Sequence, residues 1–190
     1  MELTLYYMPG TRSERVRWAL DELGLDYGIE RLDLFKGEGN RADYRAIHPL
    51  GQLPALLVDG QAMFESGAIV QWLAEAMPGS RLAPPVDQPA RRAFDQWMYF
   101  AATSLEGPAW EMMLHGNILP DEQAVKSIIP FAMQQYQRAL QVLDQALTGR
   151  EYLLGRDFSV ADIMVGYLLP WFPEQLAECA VLPAYLERLK

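Results

Sequence analysis

A proline stands inside an apolar, strand-like run, Leu53-Pro54-Ala55-Leu56-Leu57-Val58, and no other local feature limits the fold as sharply. Proline has no N–H to give to a sheet ladder, so such a strand lies at an edge or begins beside a ligand. Asp59-Gly60 follows as a strong hairpin signal, which makes Gln61–Phe64 the returning strand. Ser66 then reads as the N-cap of a helix carrying Ile69, Val70, Trp72 and Leu73, which ends before Pro78-Gly79. Upstream, Leu3–Tyr7 is rich in β-formers, and Pro9-Gly10 breaks it. Ser13 reads as the N-cap of a helix to about Leu23, with Val16, Leu20 and Leu23 on one face and Gly24 ending it. Tyr27–Leu32 reads as a second strand, and Phe35–Ala46 as a polar loop with a weak helix. The resulting order is β-α-β-α-β-β-α.

The pattern changes after a proline-rich stretch. Residues 79–89 read as a linker, leaving domains at 1–78 and 90–190. Beyond the linker only helical spacing appears: Phe94, Trp97, Met98, Ala101, Ala102 and Leu105, then Met133, Tyr136, Leu140, Leu143 and Leu147. Pro130 starts or kinks the second of these, and Pro108 disturbs the helix before it. Ser159-Val160-Ala161-Asp162 is a capping box opening another helix, and short helices follow Pro173 and Pro183. The fold class expected is α/β plus all-α.

Composition narrows the function. The 190 residues are 51% hydrophobic and 22% charged, a globular balance, and the net charge of −9 argues against a nucleic-acid partner. One cysteine, Cys179, permits no internal disulfide and no CxxC chemistry. With His48 and His115 the only histidines, no His/Cys zinc site is expected and no metal is required. Neither a signal peptide nor a bilayer-length apolar run is apparent, so a cytoplasmic protein without a membrane partner is expected.

The chemistry concentrates at Gly51-Gln52-Leu53-Pro54 and Glu65-Ser66. A helix N-terminus offers N–H groups to a carboxylate, and an adjacent Glu offers an acceptor to an ammonium. Together they match the zwitterionic end of an α-amino acid. These segments, with Tyr6–Leu25, Phe64–Leu73 and the Ser159–Ile163 box, resemble the cytosolic glutathione transferases along essentially the whole chain, with the bacterial members the nearest in pattern.

The resemblance implies a thioredoxin-like N-terminal domain, a helical-bundle C-terminal domain, glutathione as co-substrate and no metal. It makes Pro54 a cis-proline. It gives the Leu53 main chain to the cysteinyl part of glutathione, Glu65 and Ser66 to the γ-glutamyl end, with Gln52 beside them, and Lys36 and Arg41 to the glycyl carboxylate. Thiol activation falls to a hydroxyl near the first strand: Thr11 first, Ser13 second, Tyr7 third. Arg12 occupies the place of the cysteine in the cysteine-type enzymes, so the implied type is serine/threonine-like. Trp110, Met113 and His115 are candidates for an apolar electrophile pocket. A homodimer and a role in detoxification are implied as well. The competing reading is a non-catalytic member of the fold, binding a ligand or partner through the same cleft.

Overall fold

The computed structural model describes residues 1–190 and divides into two compact units, Met1–Ala83 and Pro84–Lys190. The first unit contains a four-stranded sheet in the order β2-β1-β3-β4, with β1 at Leu3–Tyr7, β2 at Gly28–Arg31, β3 at Ala55–Val58 and β4 at Gln61–Phe64. β1 runs parallel to β2 and antiparallel to β3, and β3 and β4 form the hairpin. At its turn Asp59 and Gly60 both take positive φ, 49° and 80°, the geometry that matches the twist of the flanking strands.

Alternation along β1 sends Leu3, Leu5 and Tyr7 to one face of the sheet. There they are buried, as are Val16, Ala19 and Leu20 of α1 (Ser13–Glu22) and Ile69, Val70 and Leu73 of α3 (Ser66–Ala76). Each fully buried Val, Leu or Ile contributes about 1.5–3 kcal/mol by leaving water. The other face holds a smaller cluster of Leu32, Tyr44, Leu53 and Ala55, packed by Tyr6, Met8, Leu34 and Ile47. Tyr44 comes from α2, the single turn Ala42–Arg45, and tight turns at Leu34–Lys36 and Glu38–Asn40 precede it. The stretch expected to be mostly loop is therefore largely turned, because Tyr44 has this cluster to enter.

Both serines expected as N-caps stand one place further in. Arg12 occupies the N-cap of α1 and Glu65 that of α3, so Ser13 and Ser66 are the first helical residues. Arg12 already has helical torsions, and the Ser13 hydroxyl turns back to donate to the Met8 carbonyl at 3.0 Å. At α3 the Glu65 carbonyl accepts the first helical bond from Ile69 N–H, and the Ser66 hydroxyl serves a different partner.

The second unit is helical. α4 (Ala90–Tyr99) and α5 (Glu106–Met113) are joined by a π-helical turn at Phe100–Leu105, and a second such turn, Leu114–Ile118, follows α5. Pro108 therefore sits within α5 rather than breaking it. It lacks the N–H for a regular helical bond, and the widened turn lies just before it. α6 (Ile129–Leu147) starts at Pro130 and buries Tyr136, Ala139, Leu140, Leu143 and Leu147. α7 (Val160–Leu168) is buried on nearly every side, and α8 (Pro173–Leu176) and α9 (Leu182–Arg188) close the unit. The capping box forms as expected: Ser159 N–H donates to Asp162 Oδ2 at 2.9 Å. No helix is long and apolar enough to cross a membrane.

Candidate functional site

Strand register gathers three loops at one end of the sheet. Tyr6 faces Ala55 across the β1–β3 ladder, and Ala55 faces Phe64 across β3–β4. The chain leaving β1 (Met8–Ser13), the chain entering β3 (Gln52–Pro54) and the chain leaving β4 (Glu65-Ser66) therefore lie side by side.

The Leu53–Pro54 bond is cis, as the resemblance implied. Leu53 precedes Ala55, where both ladders begin, so its main chain is committed to neither. The loop before it closes through glycine. A Cβ on Gly51 would sit 2.2 Å from the Gly39 carbonyl oxygen, and one on Gly39 would sit 2.2 Å from the Gly51 oxygen. Only residues without a side chain allow the two backbones this close. His48 ties the same loop: its carbonyl accepts from Gly51 N–H at 2.8 Å, and its Nδ1 from Leu50 N–H at 3.3 Å.

Glu65 is exposed and takes φ +71°, a left-handed conformation that sets the entry to α3. Because Ile69 makes the first helical bond, the N–H groups of Ser66, Gly67 and Ala68 have no acceptor within the helix. The Ser66 hydroxyl accepts from Arg15 Nη1 at 3.1 Å, and Arg15 is only 1% exposed. A buried guanidinium thus stands behind the helix start and reinforces its preference for an anion. Sequence reasoning assigned Arg15 no role, and its only signal was a basic residue on the face of α1 shared with Val16 and Ala19.

The hydroxyls near β1 form a closed local set. Thr11 Oγ1 donates to the Met8 carbonyl at 2.7 Å, Ser13 Oγ lies within 2.7 Å of Thr11 Oγ1, and Met8 N–H donates to Ser13 Oγ at 3.2 Å. Ser13 is 0% exposed whereas Thr11 is partly open. Tyr7 stands apart from both. Its hydroxyl donates to Glu14 Oε1 at 2.6 Å and accepts from Arg17 Nη1 at 3.2 Å. Burial, followed by the hydrogen bond to Glu14, pushes the Tyr7 phenol above its ordinary pKa, so it remains protonated.

The loop cations are occupied locally. Lys36 Nζ lies 3.2 Å from Asp33 Oδ2, and Arg41 forms a forked pair with Asp43. Lys36 is 76% exposed. In the helical unit Trp110 lies beside Trp171, ring centroids 6.4 Å apart, and Tyr167 packs edge-on against Trp171. Met113 Sδ accepts from Asn117 Nδ2 at 3.5 Å. His115 is engaged on both nitrogens: Nδ1 accepts from Val125 N–H at 3.1 Å, and Nε2 lies 3.3 Å from Glu111 Oε2. No group of three or more His, Cys, Asp or Glu side chains is arranged to hold a metal ion.

The sheet order, the cis-proline turn beside a helix start and the helical unit that follows define a thioredoxin-like domain joined to an all-α domain. The model of the glutathione S-transferase N-terminal domain matches residues 1–75, and that of the C-terminal domain matches residues 71–185. Glutathione S-transferase GstA of Escherichia coli O157:H7 is 32% identical over 171 residues, covering 89% of this chain and 82% of that protein. The crystal structure of a glutathione transferase from Methylococcus capsulatus superposes with a TM-score of 0.85 at 31% identity, covering 98% of this chain and 92% of the other. A glutathione transferase homologue from Sulfitobacter, solved with bound glutathione, superposes with a TM-score of 0.85 at 26% identity, over 99% of this chain and 92% of its own. The chain belongs to the glutathione S-transferase family.

Proposed function

We propose that this protein is a glutathione transferase that binds glutathione at the sheet end described above and activates its thiol for attack on a hydrophobic electrophile or a peroxide. The observation that carries this reading is the Leu53 main chain, left outside both ladders beside the cis bond and next to the Glu65–Ser66 helix start. An extended peptide adds to such a backbone as a further strand. Leu53 pairs with the cysteinyl unit. Ser66 and the first N–H groups of α3 hold the γ-glutamyl carboxylate, Glu65 holds its ammonium, and Gln52 assists. Lys36 and Arg41 meet the glycyl carboxylate only by exchanging their aspartate partners.

The thiol of free glutathione has a pKa of about 8.5, and lowering it by about two units requires about 2.7 kcal/mol. A hydrogen bond to a charged group is worth about 1.5–3 kcal/mol, so one hydroxyl supplies most of this. Thr11 is the donor of choice, since Ser13 is sealed from solvent and the Tyr7 hydroxyl is spent on Glu14. The thiol proton leaves to water. The sulfur lone pair then forms the bond to the electrophilic atom, and the leaving group departs with its bonding pair. Trp110, Met113 and His115 supply the electrophile pocket in the helical unit. The protein works in the cytoplasm as a homodimer. Phe94, Trp97 and Met98 of the apolar α4 stripe are buried, and the exposed aromatic there is Tyr99, 72% open.

One observation favours the alternative of glutathione binding without activation: the Thr11 hydroxyl already has an acceptor in Met8. Calorimetry with glutathione, followed by thiolate ultraviolet absorbance across pH, separates the readings. Uptake with a depressed thiol pKa supports catalysis, and uptake with an ordinary thiol pKa supports the binding protein. No uptake removes both. Sedimentation showing a stable monomer removes the dimer.

A further inference from the structure

Tyr44 is the one buried residue of α2, and its hydroxyl donates to the Gln52 carbonyl at 2.5 Å. Its ring is fixed by neighbours on two sides, Tyr6 with centroids 5.1 Å apart and His48 at 6.4 Å. The other hydrogen bonds of this loop hold residues 48–51: His48 N–H to the Tyr44 carbonyl, Arg45 Nη1 to the Pro49 carbonyl, Leu50 N–H to His48 Nδ1 and Gly51 N–H to the His48 carbonyl. The phenol is the link that extends the hold to Gln52.

That link has a directional consequence. The Gln52–Leu53 peptide is trans, the cis bond being the next one along. In a planar trans peptide the C=O and the following N–H point in opposite directions. Pinning the Gln52 oxygen onto Tyr44 therefore turns the Leu53 N–H away from the Tyr44 side, and Leu53 lies beyond both ladders. We propose that Tyr44 is a positioning residue whose hydroxyl orients the Gln52–Leu53 peptide so that the Leu53 N–H faces the cysteinyl main chain of glutathione.

This inference rests on the glutathione reading above and adds a residue to it that the sequence pattern did not single out. Burial raises the Tyr44 phenol far above the ordinary tyrosine range, so it stays a donor at every working pH. Without the hydroxyl the peptide plane is free to rotate, so glutathione held at the Ser66 end meets the Leu53 N–H for only part of the time. The Leu53 contact is then incompletely formed even in the bound state, and affinity falls by what that contact contributed.

The test is a glutathione titration of the full chain, labelled with 15N, following the Leu53 and Ser66 amide resonances in the wild type and in Tyr44→Phe. The ring and its packing remain in this variant and only the hydroxyl is lost. The expected result is a Leu53 response in the wild type that is selectively weakened in Tyr44→Phe, with the Ser66 response kept at saturation. The dissociation constant should rise about tenfold, equivalent to about 1.4 kcal/mol. An unchanged Leu53 response, or equal weakening of both amides, overturns the proposal, since a merely structural role moves the two together. Should Tyr44→Phe not fold, 3-fluorotyrosine at position 44, a stronger donor of similar shape, should keep or tighten glutathione binding, and looser binding overturns the proposal. A wild type silent at both amides sinks the glutathione reading itself, a pattern distinct from any failure of Tyr44.

Discussion

Thr11 Oγ1 and Ser13 Oγ lie 2.7 Å apart, and both reach the Met8 carbonyl oxygen, at 2.7 and 3.0 Å. The pair holds two hydroxyl protons, and Met8 needs only one of them. Ser13 can keep the carbonyl satisfied while Thr11 turns its proton to a sulfur anion. Thr11→Val keeps the shape and removes the proton. It should raise the pKa of bound glutathione and lower kcat/KM at neutral pH by about 10- to 100-fold, the kinetic equivalent of about 1.5–3 kcal/mol. Ser13→Ala should act chiefly on stability, by about 1 kcal/mol, because Met8 N–H loses its acceptor. Thiolate absorbance titrations of both variants check this, and a larger thiol shift in Ser13→Ala would reverse the two roles.

Gly51 has φ +64° and passes so near Gly39 that neither tolerates a Cβ. Gly51→Ala therefore has to move the loop that carries Gln52 and Leu53. The expected cost is about 2 kcal/mol or more, with glutathione affinity lost alongside. Denaturant unfolding gives the first quantity and calorimetry the second. Full stability with normal binding would show that the close approach is not required.

His48 is buried, with its ring 5.0 Å from that of Phe64. Desolvation holds its pKa below the ordinary histidine value, against the opposing pull of the Glu65 carboxylate and with a smaller contribution from Arg45 in the same direction as burial. The unfolded chain takes up a proton near pH 6.5 that the folded chain does not accept until lower pH. The contribution to stability is thus complete above about pH 6.5 and is lost as pH falls through the folded pKa. His48→Asn removes the titration while keeping an acceptor for Leu50 N–H. Its melting temperature relative to wild type should improve as pH drops from 7 to 5, and a constant difference would refute the assignment.

Asp162, fully buried, accepts from Leu153 N–H, Ser159 N–H, the Ser159 hydroxyl and the Tyr185 hydroxyl, all within 2.8–2.9 Å. It ties the start of α7 to α9 and to the loop at Leu153. Asp162→Ala strands several buried donors at about 1–3 kcal/mol each, so the loss should be at least about 3 kcal/mol. Asp162→Asn, which keeps one acceptor oxygen, should lose less. Thermal melts rank the two, and the reverse order would contradict the network.

Local rules were enough for several of the elements. The Asp59-Gly60 turn, the Ser159–Asp162 capping box and the stripe on α6 each depend on residues a few positions apart, and all formed where their patterns placed them. The Leu53–Pro54 run and Glu65-Ser66 pointed to the candidate site because each carries a local chemical signature. The serine caps at Ser13 and Ser66 were displaced because their hydroxyls serve other partners, the nearby Met8 carbonyl for Ser13 and the sequence-distant Arg15 for Ser66. Arg15 was not legible: nothing near it in sequence reveals that Ser66, 51 residues on, will accept its hydrogen bond.

Hydrophobic periodicity, turn chemistry and charge thus determined which segments became strands or helices and which residue types were available for binding. Only the tertiary structure decided which hydroxyl remained open, which cations were already paired and which way the peptide before Leu53 faced. Those properties depend on the side-chain and peptide orientations that packing selects, even where the partners are near in sequence, as for Thr11 with Met8 and Lys36 with Asp33, and unlike a capping box these pairings follow no spacing that names the partner in advance.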